Sequence, residues 1–134
     1  LKIVIDTGIL VASLWEGKSR VVMDLWEKGE LTLCVSRAIL KEYLYILPRF
    51  SLFRRETEEL LRLLEAKKNI EMVSPSQRIK VIKDDPADDK FLECALEGGA
   101  EYIISADKHL ANLREYQGVK IVPSGRFLRE IGHK

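Results

Sequence analysis

Cysteine and histidine are scarce in this chain, two of each among 134 residues, and their scarcity excludes several chemistries. Cys34 and Cys94 stand singly, without the paired spacing of a zinc site or of a secreted disulfide framework, so both are expected to be buried thiols in a reducing cytoplasm. His109 reads as a surface residue at a helix start and His133 lies in the tail, which leaves no His and Cys set for zinc. Four prolines and eight glycines are too dispersed to form a linker, and with 46% hydrophobic residues the chain is expected to form one domain over residues 1–134. No apolar run approaches the ~20 residues of a membrane span, and the first residues enter a strand pattern without a signal-peptide profile, so the expectation is a soluble, cytoplasmic protein with no membrane partner. Neither sign of charge dominates: 22 basic against 21 acidic residues give a net charge of +1, so any polyanion site has to be local. No Walker loop, no Gly-x-Gly-x-x-Gly and no Gly-x-Ser-x-Gly elbow is present. Asp6-Thr7-Gly8 lacks the second aspartate that an aspartyl-phosphate enzyme wants two residues after its nucleophile.

What the chain does have is acid in one place. From Lys83 to Leu110 five aspartates surround one amphipathic segment and one short apolar run. Asp85 reads as an N-cap with Pro86 at the first helical position, and helix chemistry alone accounts for Asp-Pro-Ala-Asp. Asp88 and Asp89 fall in the first turn, Phe91, Leu92, Ala95 and Leu96 form the apolar face, and Gly98-Gly99 stop the helix. Tyr102 to Ile104 then reads as a buried strand with Asp107 just past its carboxyl end.

The remaining elements follow by the same reasoning. Lys2 to Thr7 reads as a central parallel strand that places Asp6 at its carboxyl end, where an open α/β sheet binds ligands; the alternative is an aspartate that caps the segment from Gly8 to Leu14. Helices are expected over Ser19–Lys28, from the Ser36 cap through Leu47, over Thr57–Lys68 and over Ser124–Ile131, with strands at Leu31–Val35, Ile70–Val73 and Val119–Val122. In the helix after Ser36 the apolar arc contains Ile39, Leu40, Tyr43, Leu44, Ile46 and Leu47, with Glu42 at its margin, a position that equally suits an ordinary solvated or ion-paired side chain. Strands alternating with helices predict a three-layer α/β/α sandwich around a mostly parallel sheet.

Asp6, Glu42, Asp88 or Asp89, and Asp107 thus come from separate elements, three of them at ends that a parallel sheet would bring to one edge. Clustered carboxylates repel, and a divalent cation relieves the repulsion. An oxygen-only donor set suits Mg2+ or Mn2+, either of which activates water and neutralises charge on a phosphoryl oxygen without a side-chain nucleophile. Lys90, Lys108 and Arg114, close to these acids in sequence, are expected to hold flanking phosphates.

Three stretches carry a family resemblance: Ile3-Val4-Ile5-Asp6-Thr7; Ser36 to Tyr43 with Leu47-Pro48-Arg49; and Asp85 to Leu92 leading to Ile103-Ile104-Ser105-Ala106-Asp107-Lys108. In order and spacing they resemble the PIN-domain family, compact metal-dependent ribonucleases that include toxins of prokaryotic toxin-antitoxin pairs, and the likeness covers essentially the whole chain. It implies an α/β/α fold, a site of Asp6, Glu42, Asp88 and Asp107, and small polar residues near the metal at Thr7 and Ser105. Asp88 is favoured over Asp89 as the ligand because it stands three residues before Phe91 on the apolar face, with Asp89 in support. The expected function is a Mg2+- or Mn2+-dependent endoribonuclease acting on single-stranded RNA, the toxin of a toxin-antitoxin pair, with an antitoxin protein as partner and a homo-oligomer, a dimer, as its assembly. The competing expectation is a catalytically weak or inactive RNA-binding or partner-binding module whose contacts come from Arg37, Arg49, Arg54 and Arg55.

Overall fold

The computed structural model describes residues 1–80 and 88–133. Its centre is a six-stranded sheet in the order β3-β2-β1-β4-β6-β5, built from β1 (Lys2–Ile5), β2 (Thr32–Ser36), β3 (Ile70–Val73), β4 (Tyr102–Ile104), β5 (Glu115–Tyr116) and β6 (Val119–Val122). All pairings are parallel except β5 with β6. The parallel strands are short and nearly all apolar because helices cover both faces, and Ile3, Val4, Ile5, Leu33, Val35, Ile103 and Ile104 are fully buried.

The helices are α1 (Thr7–Ala12), α2 (Lys18–Glu27), α3 (Arg37–Ile46), α4 (Arg54–Glu65), α5 (Asp89–Gly98), α6 (Lys108–Ala111) and α7 (Ser124–Glu130), with two 3₁₀ turns, Leu47–Arg49 and Ser51–Phe53, between α3 and α4. The three-layer, mostly parallel architecture expected from the alternation of strands and helices is the one observed. Boundaries move by one to three residues: α2 and α4 begin earlier than the sequence pattern suggested. The cap expected at Asp85 and Pro86 lies outside the described residues, and the first described residues of that helix are Asp88 and Asp89.

Chain order along the sheet runs outward from β1 through β2 to β3, then returns to the other side of β1 for β4 and β6. The right-handed crossover rule puts α5, the connection that runs back across the sheet, on the face opposite the earlier crossovers. Its close approach to the sheet needs Gly98: a Cβ there would lie 3.0 Å from both Cys34 Sγ and Val73 Cγ2. Gly99 then ends the helix in the left-handed region at φ 70°, and Ala100 N donates back to Ala95 O at 2.9 Å. The short strand β5, which the sequence pattern did not reveal, forms a two-residue hairpin with β6 in which Gln117 (φ 48°) and Gly118 (φ 88°) both have positive φ. A type I′ turn of this kind is usually announced by Asn-Gly or Asp-Gly, and Gln-Gly is a weaker signal.

The core is one contiguous cluster with Trp26, Tyr43, Phe91 and Phe127 among its largest fully buried side chains. Tyr43 also carries a polar tether: its Oη donates to Ile5 O at 2.5 Å, tying α3 to the last residue of β1. Replacing Tyr43 by Phe leaves the packing and removes that bond, so the variant should lose about 1–2 kcal/mol. Urea denaturation should show a lower midpoint with the slope unchanged, since the surface exposed on unfolding stays the same.

Candidate active site

Between β1 and β4 the direction of chain progression reverses, and in open α/β sheets such a switch point opens a crevice beyond the strands' carboxyl ends. Ile5 is paired with Ile104, and Asp6 N donates to Ile104 O at 3.1 Å, so the residues that follow the two strands leave the sheet side by side. A cleft of ≈ 340 Å³ lies there, lined by Asp6, Thr7, Gly8, Glu42, Asp88, Phe91, Ala106 and Asp107. Four acids from four separate segments therefore share one cleft.

Each acid is held by the element it begins or sits on. Asp6 is the N-cap of α1: Oδ1 accepts from Ile9 N at 2.8 Å, while Oδ2 accepts from Ser105 Oγ. The capping reading of this residue is realised, and the same side chain lines the cleft. Asp107 caps α6 in the same way, with Oδ1 accepting from His109 N at 2.8 Å and Leu110 N at 3.3 Å. Ser105, fully buried, links the two: its hydroxyl donates to Asp6 and accepts from Asp107 N at 2.9 Å. Glu42 projects from α3, with Oε2 accepting from Thr7 Oγ1 and Oε1 paired to Lys90 Nζ at 3.0 Å. A residue at the margin of the apolar arc was compatible with an ion pair or with a site role, and Glu42 combines the two positions. Asp88 lines the cleft at the start of α5, whereas Asp89, 5% exposed in the first helical turn, does not.

The basic residues expected around the acids divide. Lys90 is half-buried against Glu42, with its ammonium also 4.8 Å from the centroid of the Phe91 ring. Lys108 is exposed one residue beyond Asp107. Arg114 lies elsewhere, in a depression shared with Glu115, Lys120, Ile121, Val122 and Arg126 near the hairpin edge of the sheet. Phe91, Gly8 and Ala106 were not foreseen as lining residues. Phe91 lies on the apolar face of α5, and nothing in its spacing separated a core residue from a cleft wall.

Burial gives the site its electrostatic character. The carboxyl of Asp6 titrates above the ordinary aspartate range because it is desolvated; its bonds from Ser105 and Ile9 act in the opposite sense, and the neighbouring Asp107 charge adds to the rise. Burial thus disfavours the charged form of Asp6, and a cation beside it would offset that effect. The donors fit a hard divalent ion in kind, being all carboxylate oxygen around one cleft, as Mg2+ or Mn2+ prefers. In position they are not yet gathered: among the described residues no three His, Cys, Asp or Glu side chains are close enough together to hold an ion.

The PIN-domain family profile matches residues 2–109, and the chain belongs to the PIN-domain family. PIN domains are in general nucleases, so a nucleic-acid substrate and hydrolytic chemistry come with this membership. No curated protein matches the chain. Among the described residues no helix is long and apolar enough to cross a membrane.

The raised pKa of Asp6 has a consequence for stability. A carboxyl whose folded pKa exceeds its unfolded value favours folding fully only below the unfolded value, and that contribution is lost as pH rises through the folded pKa. Asn at position 6 keeps the cap and escapes the loss. In EDTA, the melting temperature of Asp6→Asn minus that of the wild type should therefore increase between pH 3.5 and pH 7.5; a difference that is flat or falls would contradict the assigned burial of charge.

Proposed function

We propose that this chain is a Mg2+- or Mn2+-dependent endoribonuclease that hydrolyses phosphodiester bonds of single-stranded RNA. The observation that carries the proposal is the convergence of Asp6, Glu42, Asp88 and Asp107 on one cleft at the switch point of the sheet. Asp6, Asp88 and Asp107 would hold the ion, with Asp89 beside Asp88 in support. A bound divalent ion supplies water activation and charge neutralisation at the phosphoryl group. The protein's own groups do the rest. Glu42, its rotamer set by the Thr7 hydroxyl, orients the attacking water and accepts its proton. Ser105 fixes the Asp6 carboxylate against rotation. Lys90, now paired with Glu42, and exposed Lys108 are placed to take the phosphates on either side of the scissile bond.

The finer biological form of this reading is the toxin of a toxin-antitoxin pair, acting in the cytoplasm as a dimer and inhibited by an antitoxin protein. It draws on the family likeness. Expression of the chain alone should arrest growth of a bacterial host, and expression of Asp6→Asn should not; arrest by both would remove RNA cleavage as its cause.

One observation favours a second reading. Glu42 is already paired with Lys90, Asp6 is hydrogen-bonded by Ser105, and among the described residues no three acids are gathered, which is the arrangement expected of a module that binds RNA or a protein without cutting it. Two measurements separate the readings. For the enzyme, RNA cleavage requires Mg2+ or Mn2+, stops in EDTA, and falls by at least ~100-fold in Asp6→Asn prepared alongside the wild type, as on removal of a principal electrostatic stabiliser. Millimolar Mn2+ should also raise the melting temperature more at pH 7 than at pH 4, where protons compete for the same oxygens, and a variant with Asp6, Asp88 and Asp107 all changed to Asn should lose that gain. Equal cleavage by wild type and Asp6→Asn would leave the binding module as the better account.

A further inference from the structure

The surface of α3 that turns away from the core carries a second pattern. Arg37, Lys41 and Tyr45 recur at intervals of four, which places them in one row on the helix, and all three are exposed. Arg49, four residues further and just past the helix in the 3₁₀ turn, extends the row: its Nη2 donates to Tyr45 Oη, and its guanidinium carbon lies 4.5 Å from the centroid of the Tyr45 ring. Tyr45 is still 64% exposed, so with one ring face against the guanidinium the other is open to solvent. The row contains three cations and no acid in a chain whose net charge is only +1. The one acid on the same helix, Glu42, directs its carboxylate to Thr7 and Lys90 in the cleft. Glu42 and Tyr45 are three residues apart and hence neighbours on the helix surface, so the row passes beside an acid that lines the cleft.

We infer that Tyr45, backed by Arg49, is a base-stacking platform for a nucleotide next to the scissile bond of a single-stranded RNA, with Arg37 and Lys41 holding the phosphates that continue along α3. The inference rests on the nuclease reading of the adjacent cleft and assigns it a substrate subsite. A ring with one open face stacks on any unpaired base, and an Arg against its other face both fixes the ring and adds cation–π attraction. Bases within a duplex have no free face to offer, so the platform selects single strands. An exposed tyrosine edged by cations also suits an acidic protein segment, but such a segment offers no flat π-face to the ring, and the continuous cationic row matches a repeating phosphate backbone.

The test is fluorescence anisotropy with a 2′-O-methyl uridine 12-mer, which resists hydrolysis, and with an abasic oligomer of equal length and charge, both in Mn2+. Tyr45→Ala should weaken binding of the uridine oligomer by roughly 5- to 100-fold and leave the abasic oligomer unaffected, while Tyr45→Phe stays close to wild type. Arg37→Ala and Lys41→Ala should weaken both oligomers alike and each reduce the slope of log affinity against log salt by about 0.7. Unchanged uridine binding by Tyr45→Ala, or equal losses for both oligomers, would overturn the platform and leave an acidic protein segment as the occupant of this row. A parallel cleavage assay on unmodified RNA keeps the two ideas apart. Tyr45-dependent binding with no cleavage by the wild type supports the platform and sinks the nuclease reading, whereas cleavage with the same KM in Tyr45→Ala and wild type does the reverse.

Discussion

The parallel pairing of β1 with β4 is the constraint on which the rest of this protein depends. Because the register joins Ile5 to Ile104 and extends to Asp6 N on Ile104 O, Asp6 and the Ser105–Asp107 turn must emerge together at the same lip of the sheet. Neither strand is long; the position is defined by backbone hydrogen bonds inside a fully buried apolar layer, which leaves little freedom for either carboxylate to move with its backbone. The other two acids are referred to the same point by separate tethers. Tyr43 anchors α3 to Ile5 O, which sets the height of Glu42, and Phe91, packed in the core below, sets the start of α5 and with it Asp88.

Helix capping and the lining of the cleft share residues here. Asp6 and Asp107 each give one oxygen to a helix N-terminus, a use that orders the carboxylate and places it in the positive end of a helix dipole. Short helices such as α1 and α6 would gain little from a cap in isolation, but the same bonds hold two acids in defined rotamers beside a desolvated cleft. Repulsion among the four acids is moderated within the protein by Ser105, Thr7 and Lys90. Burial raises the pKa of Asp6 all the same, so its replacement should be felt in stability.

The surface around this cleft is organised by sign rather than by quantity of charge. Opposite charges nearly cancel over the chain, and many are engaged in local pairs such as Arg54–Glu58 on α4, Arg62–Glu59 and Arg126–Glu130. These exposed pairs contribute little to stability. Along α3 and the turn after it, in contrast, the outward row of Arg37, Lys41, Tyr45 and Arg49 contains no acid, and Tyr45 neighbours Glu42 of the carboxylate cleft on the helix surface. A cluster of acids thus lies near a row of cations.

Local sequence chemistry by itself determined most of the secondary structure and the fold class, the short strand β5 excepted. Apolar runs too short for helices, Ser36 before a periodic segment and Gly98-Gly99 after one all act over a few residues, so α3 with its cap, the end of α5 and the parallel strands were legible without any tertiary information. Acids just beyond strand ends were legible for the same reason, since strand direction alone sends Asp6 and Asp107 to one edge of a parallel sheet. Distances between segments were not. That Asp88 and not Asp89 faces the cleft depends on the rotation of α5, which is set by Phe91 and Leu92 packing and by the contact of Gly98 with β2 and β3. The pairing of Lys90 with Glu42 spans two helices brought together only by the sheet, and Arg114 was close in sequence to Asp107 yet was carried to a different depression by the turn into β5. The row on α3 could have been read from its four-residue spacing, but its meaning could not, because only the folded chain shows that Arg49 stacks on Tyr45 and that this row passes beside an acid of the cleft. Sequence acts through neighbours along the chain, whereas a site is made by neighbours in space, and here the packing of α3 and α5 onto the β1–β4 edge chose them.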